Sequence, residues 1–231
     1  MWRKIVDIVL LPLAFVAMAV SVSLYVAERV AHNEERIAQF TPTPEEEEPL
    51  ISQYDKMFQE VGEQYDVDWL LLSAIARAES EFRFDAISKA GAVGLMQIMP
   101  SVARSMGYER EQLFDPRISA EVAAQLLHEN NDMLCFPEEF NASERVMFIL
   151  ACYNAGYSRI ADARRLARYH EESGDEWNIV ATYLELLAVP EYVELEIVHS
   201  GAFYGSAETI AYVNRVMHIY NIYRHKIIPY I

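Results

Sequence analysis

The sequence predicts an all-α domain behind a single N-terminal transmembrane helix. Three observations predict it. From Leu50 to His225, apolar residues recur at helical spacing in run after run. Cap residues and breakers such as Asp68, Ser101, Gly107 and Asp115-Pro116 punctuate those runs. No stretch alternates strictly between apolar and polar for long enough to build a sizeable sheet.

The first element is the span Ile8 to Ala27, which holds no charged residue and is long enough to cross a bilayer. Arg3 and Lys4 precede it and an acid-rich stretch follows. That bias places the N-terminus in the cytoplasm and the rest of the chain outside. A cleaved signal peptide is the competing reading, but the run is long for one and no small-x-small site ends it. Residues 1–30 are thus read as a cytoplasmic tip and membrane anchor. Residues 31–49 are read as a linker, extended by Pro42 and Pro44 and by repulsion among Glu45 to Glu48. Residues 50–231 are read as the functional domain.

Within that domain, Ile51, Tyr54, Met57, Phe58 and Val61 give helical spacing to Leu50–Tyr65. Asp66 and Asp68 are candidate caps for a helix over Trp69–Phe82. Ser101 is a candidate cap for Val102–Met106, which Gly107 stops. Asp115-Pro116 opens the next unit, helical from Ala120 to Leu134. Ser143–Tyr153, Arg159–Arg168, Trp177–Leu187 and Glu208–His225 complete the set.

The net charge is −16. Residues 1–30 carry Arg3, Lys4 and Arg29 against Asp7 and Glu28, a net of +1, which leaves −17 for the remainder. That balance argues against a nucleic-acid partner, which needs clustered Lys and Arg. Cys135 and Cys152 are the only cysteines. On a predicted helix pair they stand roughly 15 Å apart, too far for a disulfide, and both are read as small buried residues. No His-x-x-x-His or Cys-x-x-Cys pair is present, so neither a metal site nor a cofactor is expected.

One residue stands out chemically. Glu79 lies seven residues after Leu72, four after Ile75 and three after Ala76, which puts it on the apolar stripe near the end of its helix. A carboxyl there loses hydration, and its protonated form is favoured. A protonated carboxyl near neutral pH is what a general acid requires. Periodicity alone points first to the plainer reading, a helix end where the apolar face runs out into solvent. Gly91 and Gly94 then flank a small-residue turn that allows close backbone approach. Gln97 follows as a lone amide in the apolar run Leu95 to Met99 and needs a hydrogen-bond partner if buried.

These residues resemble a known family. Ala78-Glu79-Ser80 at a helix end, Ser88 nine residues after the Glu, and Gly91-Ala92-Val93-Gly94-Leu95-Met96-Gln97-Ile98-Met99-Pro100 look like the signature of soluble-lytic-transglycosylase-type domains. Ala151 to Gly156 resembles the family's Ala-Tyr-Asn-Ala-Gly block, and Glu208 to Val213 its Glu-Thr-x-x-Tyr-Val block. The blocks stand in the family's order, over roughly residues 50 to 225. Trp177 to Pro190 and the Tyr-rich last helix look most like membrane-bound murein transglycosylases of the F type. One departure is Gly205-Ser206-Ala207, where that subgroup carries Arg-Gly before the Glu-Thr block.

The resemblance implies a lysozyme-like fold and a domain on the periplasmic side of the cytoplasmic membrane, with peptidoglycan strands as substrate and cell-envelope complexes as further partners. It implies cleavage of the β-1,4 bond between N-acetylmuramic acid (MurNAc) and N-acetylglucosamine (GlcNAc), with a 1,6-anhydro-MurNAc product. Glu79 would be the single general acid and base. Ser88 would hydrogen-bond near the N-acetyl or peptide side. Gln97 and Met99 would line the cleft, and Tyr153 would face the carboxyl and hold the N-acetyl group. Asn154 would brace its loop, Glu208 would accept hydrogen bonds or serve only as a helix-end acid, and Tyr212 would pack behind. A hydrolytic muramidase and a non-catalytic glycan-binding scaffold are the alternatives that the sequence leaves open.

Overall fold

The computed structural model describes residues 50–227. The expected anchor and linker therefore lie outside the described residues. Among those described, no helix is long and apolar enough to cross a membrane.

The described chain is helical throughout, and its only β pairings are isolated bridges. Helix α1 spans Asp55–Tyr65, a later start than Leu50. The reason is local. The Asp55 carboxylate accepts the amides of Ile51 and Ser52 at 2.8 and 2.9 Å, which folds residues 51–54 into a turn. Asp66 is not a cap for the next helix. It ends α1 in the left-handed conformation at φ 55°. Asp68 caps α2 (Trp69–Ser80), accepting the Leu70 amide at 2.8 Å, and its other oxygen receives the Tyr220 hydroxyl at 2.5 Å.

Helix α2 stops before Phe82 because Glu81 and Phe82 both turn left-handed, at φ 53° and 64°. Helix α3 (Pro100–Ser105) starts on Pro100 rather than on a Ser101 cap, since proline at the first position needs no amide partner. Gly107 follows it at φ 87°. A 3₁₀ turn (Arg110–Phe114) leads to α4 (Pro116–Leu134), capped by the Asp115 carboxylate. Next come α5 (Ala142–Ala155), capped by Asn141, then α6 (Tyr157–Tyr169) and α7 (Trp177–Leu186). A short α8 (Pro190–Val193), which has no helical signature in the sequence, precedes α9 (Ser206–Ile227).

Helix α2 is the hub. Leu72, Ala74, Ile75 and Ala76 are fully buried, each larger side chain contributing about 2 kcal/mol of burial. It packs against α9 and α1, and α5 also packs against α9. Helix α4 spans α1 and α5, and α6 pairs with α7. The Glu79 end of α2 is thus framed by α9, α5 and the loop that follows it. Both cysteines are free. Cys152 is buried, but Cys135 is exposed, contrary to expectation, because it is the left-handed residue that ends α4.

Candidate active site

The loop from Glu81 to Met99 is a built structure. Val93 pairs antiparallel with both Ile87 and Ile98. The Gly94 amide donates to the Ala86 carbonyl at 2.9 Å. The Gln97 side-chain amide donates to the carbonyls of Ala86 and Gly94 at 3.1 and 2.9 Å, which supplies the partner a lone amide needs. Two buried serines anchor the loop to the helices. The Ser80 hydroxyl donates to the Leu95 carbonyl at 2.8 Å, and Ser119 Oγ on α4 accepts the Met96 amide at 3.2 Å. Gly94 is required twice over. Its φ is 83°, and a Cβ there would lie 2.0 Å from the Leu113 carbonyl oxygen.

Between this loop, α5 and α9 opens a cleft of about 510 Å³. Glu79, Ser88, Gln97, Met99, Tyr153, Asn154 and Glu208 all line it. The structure thus brings together seven residues drawn from four separate sequence blocks. The eighth candidate, Tyr212, lies behind the wall and is 3% exposed. Lys89, Val102 and Leu126 also line the cleft, although none stands out in the sequence.

Burial raises the Glu79 carboxyl to about 7. The Tyr212 hydroxyl and the Arg215 charge pull it down, and the Glu208 charge pushes it up. Burial on the apolar stripe is the dominant cause, and the like-charge contribution of Glu208 is the smallest. Tyr212 and Arg215 are counterweights that periodicity around Glu79 could not show. The signal lies on α9, where Glu208, Tyr212 and Arg215 fall on one face at four- and three-residue spacing. Arg215 stands over the Tyr212 ring, 5.7 Å from its centroid. The buried Tyr212 hydroxyl is close enough to favour the Glu79 carboxylate, although it makes no hydrogen bond of ordinary geometry.

Tyr153 differs in detail from expectation. Its hydroxyl donates to the Met96 carbonyl at 2.7 Å. Burial, with the Glu79 charge second, holds its pKa well above the usual phenol range, so the proton stays. The side chain therefore offers the cleft an acceptor oxygen while it ties α5 to the loop. Asn154 Oδ1 accepts the Thr209 hydroxyl at 2.8 Å and joins the end of α5 to the start of α9. Ser88 Oγ accepts the Ala92 amide at 2.9 Å, which leaves its own proton free to donate. Among the described residues, no group of three His, Cys, Asp or Glu stands together as a metal site.

The site is thus an open cleft in an all-helical fold with a partly buried carboxyl in its wall. The comparisons specify it further. The transglycosylase SLT domain family matches residues 56–178, more than half of the chain, and the chain belongs to that family. It is 32% identical over 172 residues to the membrane-bound lytic murein transglycosylase F of Alcanivorax borkumensis, covering 73% of this chain and 35% of the relative. A second relative, membrane-bound lytic murein transglycosylase F 1 of Alkalilimnicola ehrlichii, is 33% identical over 138 residues, 60% of this chain and 27% of the relative. The chain thus spans roughly a third of the length of these relatives. Among solved structures, the fold resembles lytic transglycosylase Slt of Pseudomonas aeruginosa, solved as an inactive mutant (TM-score 0.52, 23% identity, 76% of this chain and 24% of that one). It also resembles the 70 kDa soluble lytic transglycosylase of Escherichia coli (TM-score 0.50, 24% identity, 74% and 24%).

Proposed function

We propose that the domain is a peptidoglycan lytic transglycosylase that cleaves the MurNAc-β-1,4-GlcNAc bond and forms 1,6-anhydro-MurNAc, with Glu79 as its single general acid and base. The observation that carries this reading is a carboxyl raised to about 7 at the wall of a glycan-sized cleft. Such a group exchanges readily between acid and carboxylate near neutral pH, and the cycle needs both forms.

Protonated Glu79 donates to the glycosidic oxygen as the C1–O bond breaks. The substrate's N-acetyl group stabilises the positive charge at C1. Glu79, now a carboxylate, takes the proton of the C6 hydroxyl of the same muramic residue. That oxygen attacks C1, which closes the anhydro ring and returns Glu79 to its starting state. An internal nucleophile has a high effective concentration, so a second carboxylate is not needed. Burial favours the acid that starts the cycle, while Tyr212 and Arg215 favour the carboxylate that finishes it.

The same reading places residues 1–30 as a single-pass anchor and residues 31–49 as a tether. It sets the domain, residues 50–231, on the periplasmic side among cell-envelope partners. The names of the relatives and the composition of Ile8 to Ala27 support this.

One observation favours a second reading. Glu208 is exposed on the same cleft, where a carboxylate could activate water and make the domain a hydrolytic muramidase. The first test is Glu79→Gln in the full chain in detergent, incubated with purified peptidoglycan. Glycan cleavage should disappear while binding remains. Near-normal turnover by the folded variant would remove Glu79 from the chemistry. Binding without any cutting by the unmodified protein would make it a scaffold.

A further inference from the structure

The cleft carries one cation that the reaction above does not use. Among the described residues, Lys89 is the only Lys or Arg that lines it, and the other charged residues lining it are Glu79 and Glu208. Lys89 sits at a corner of a tight turn. The Gly91 amide donates to the Ser88 carbonyl at 3.0 Å, and the Ser88 amide donates to the Ala92 carbonyl at 2.9 Å. The Ser88 oxygen receives the Ala92 amide, which locks the turn from inside. The backbone at Lys89 is thus held in place, while its side chain is exposed.

Among the described residues, no carboxylate lies within ion-pair distance of the Lys89 ammonium. Lys89 is also absent from the groups that tune the Glu79 carboxyl, which are Tyr212, Arg215 and Glu208. It serves neither the fold nor the acid. A neutral sugar ring presents no charge to pair with an ammonium, and a chain carrying −17 beyond residue 30 repels anionic ligands at long range. A lone cation on a rigid turn at the cleft edge offsets that repulsion at one point, beside the free Ser88 proton.

We propose that Lys89 is a specificity-determining residue, which pairs with a carboxylate carried on the muramic side of the glycan while the Ser88 hydroxyl donates beside it. The inference rests on the reading of the cleft as a murein-cleaving site. The carboxylate has two sources. A peptide-free strand exposes the lactyl carboxylate itself, whereas a peptide-bearing strand has that group amidated but carries the carboxylates of the stem.

The test measures affinity in a Glu79→Gln background, full chain in detergent, so that strands stay intact. The probes are peptide-free strands, peptide-bearing strands, and peptide-free strands whose carboxylates have been converted to neutral amides. Lys89→Gln should weaken binding by about three- to fivefold on strands that carry the recognised carboxylate, and by nothing measurable on the neutralised ones. Lys89→Arg should restore it, and Lys89→Glu should weaken it further. A loss confined to peptide-free strands assigns the lactyl group, and a loss confined to peptide-bearing strands assigns the stem. A loss on both assigns either carboxylate in turn. An equal loss on all three probes, or none on any, overturns the proposal. Cleavage by the protein with Glu79 intact is a separate readout and reports on the underlying reading alone.

Discussion

The Tyr153 hydroxyl donates to the Met96 carbonyl at 2.7 Å across 57 residues of sequence. It fastens α5 to the loop that forms the opposite wall of the cleft. The acceptor residue is fully buried, so loss of the donor leaves a carbonyl unpaired in an apolar setting. Tyr153→Phe should therefore cost about 1–2 kcal/mol of stability, read by thermal or denaturant unfolding, and should lower turnover more than it weakens glycan binding. An unchanged unfolding midpoint would show that the bond contributes nothing net.

The pH dependence follows from Glu79. Its carboxyl must start protonated, and burial raises it to about 7. Activity should hold below that value and fall as pH rises through it. Glu208→Gln removes a charge that pushes the carboxyl up, so the alkaline limb should move to lower pH. Arg215→Gln removes a charge that pulls it down, so the limb should move to higher pH. The profile of kcat/KM reports these ionisations in the free enzyme. Shifts in the same direction for both variants would contradict the electrostatic assignment.

The same shift has a cost in stability. The folded state favours protonated Glu79, with a pKa above the ordinary 4.5. Between 4.5 and about 7 the native protein binds more protons than the unfolded chain, so this contribution to stability falls as pH rises. Glu79→Gln should escape that fall. The variant should be more stable than the parent at pH 8, by about 2 kcal/mol once solvent at the cleft mouth is allowed for. The difference should shrink towards acid pH. Paired unfolding curves at pH 5 and pH 8 check it, and a pH-independent difference would mean that Glu79 is solvated.

Gly94 offers a test of the loop. Alanine there would need a left-handed backbone and would put its Cβ 2.0 Å from the Leu113 carbonyl. Gly94→Ala should cost about 3 kcal/mol or more. Gly91→Ala has the backbone strain without the clash, since nothing lies within 4 Å of its Cβ site. It should cost about 1 kcal/mol. Equal effects at the two positions would show that contact with Leu113 is immaterial.

Much of this arrangement is legible in the chain, for physical reasons. Glu79 is visible because helix α2 has a strong apolar face, and a carboxyl on that face breaks the pattern. Apart from the short α8, the order of the helices follows from periodicity and from punctuation such as Asp68 and Asp115-Pro116. The helix ends are less legible. Glu81 and Asp66 take up left-handed conformations that glycine usually supplies, and tertiary packing rather than local preference puts them there. The roles of Ser80, Ser119 and Thr209 are not legible in the sequence, because a buried hydroxyl reveals its partner only in the fold. Lys89 and Arg215 look like ordinary surface cations until the cleft and the facing side of α9 are seen.

The most direct test of the account is the mass of the muropeptides released from purified peptidoglycan by the full-length protein in detergent. Attack by the internal C6 hydroxyl predicts 1,6-anhydromuramyl products, lighter by one water than the hydrolysis products, and none from Glu79→Gln. Reducing muramic ends as the main product would show that water is the nucleophile, and the single-carboxyl mechanism would be wrong.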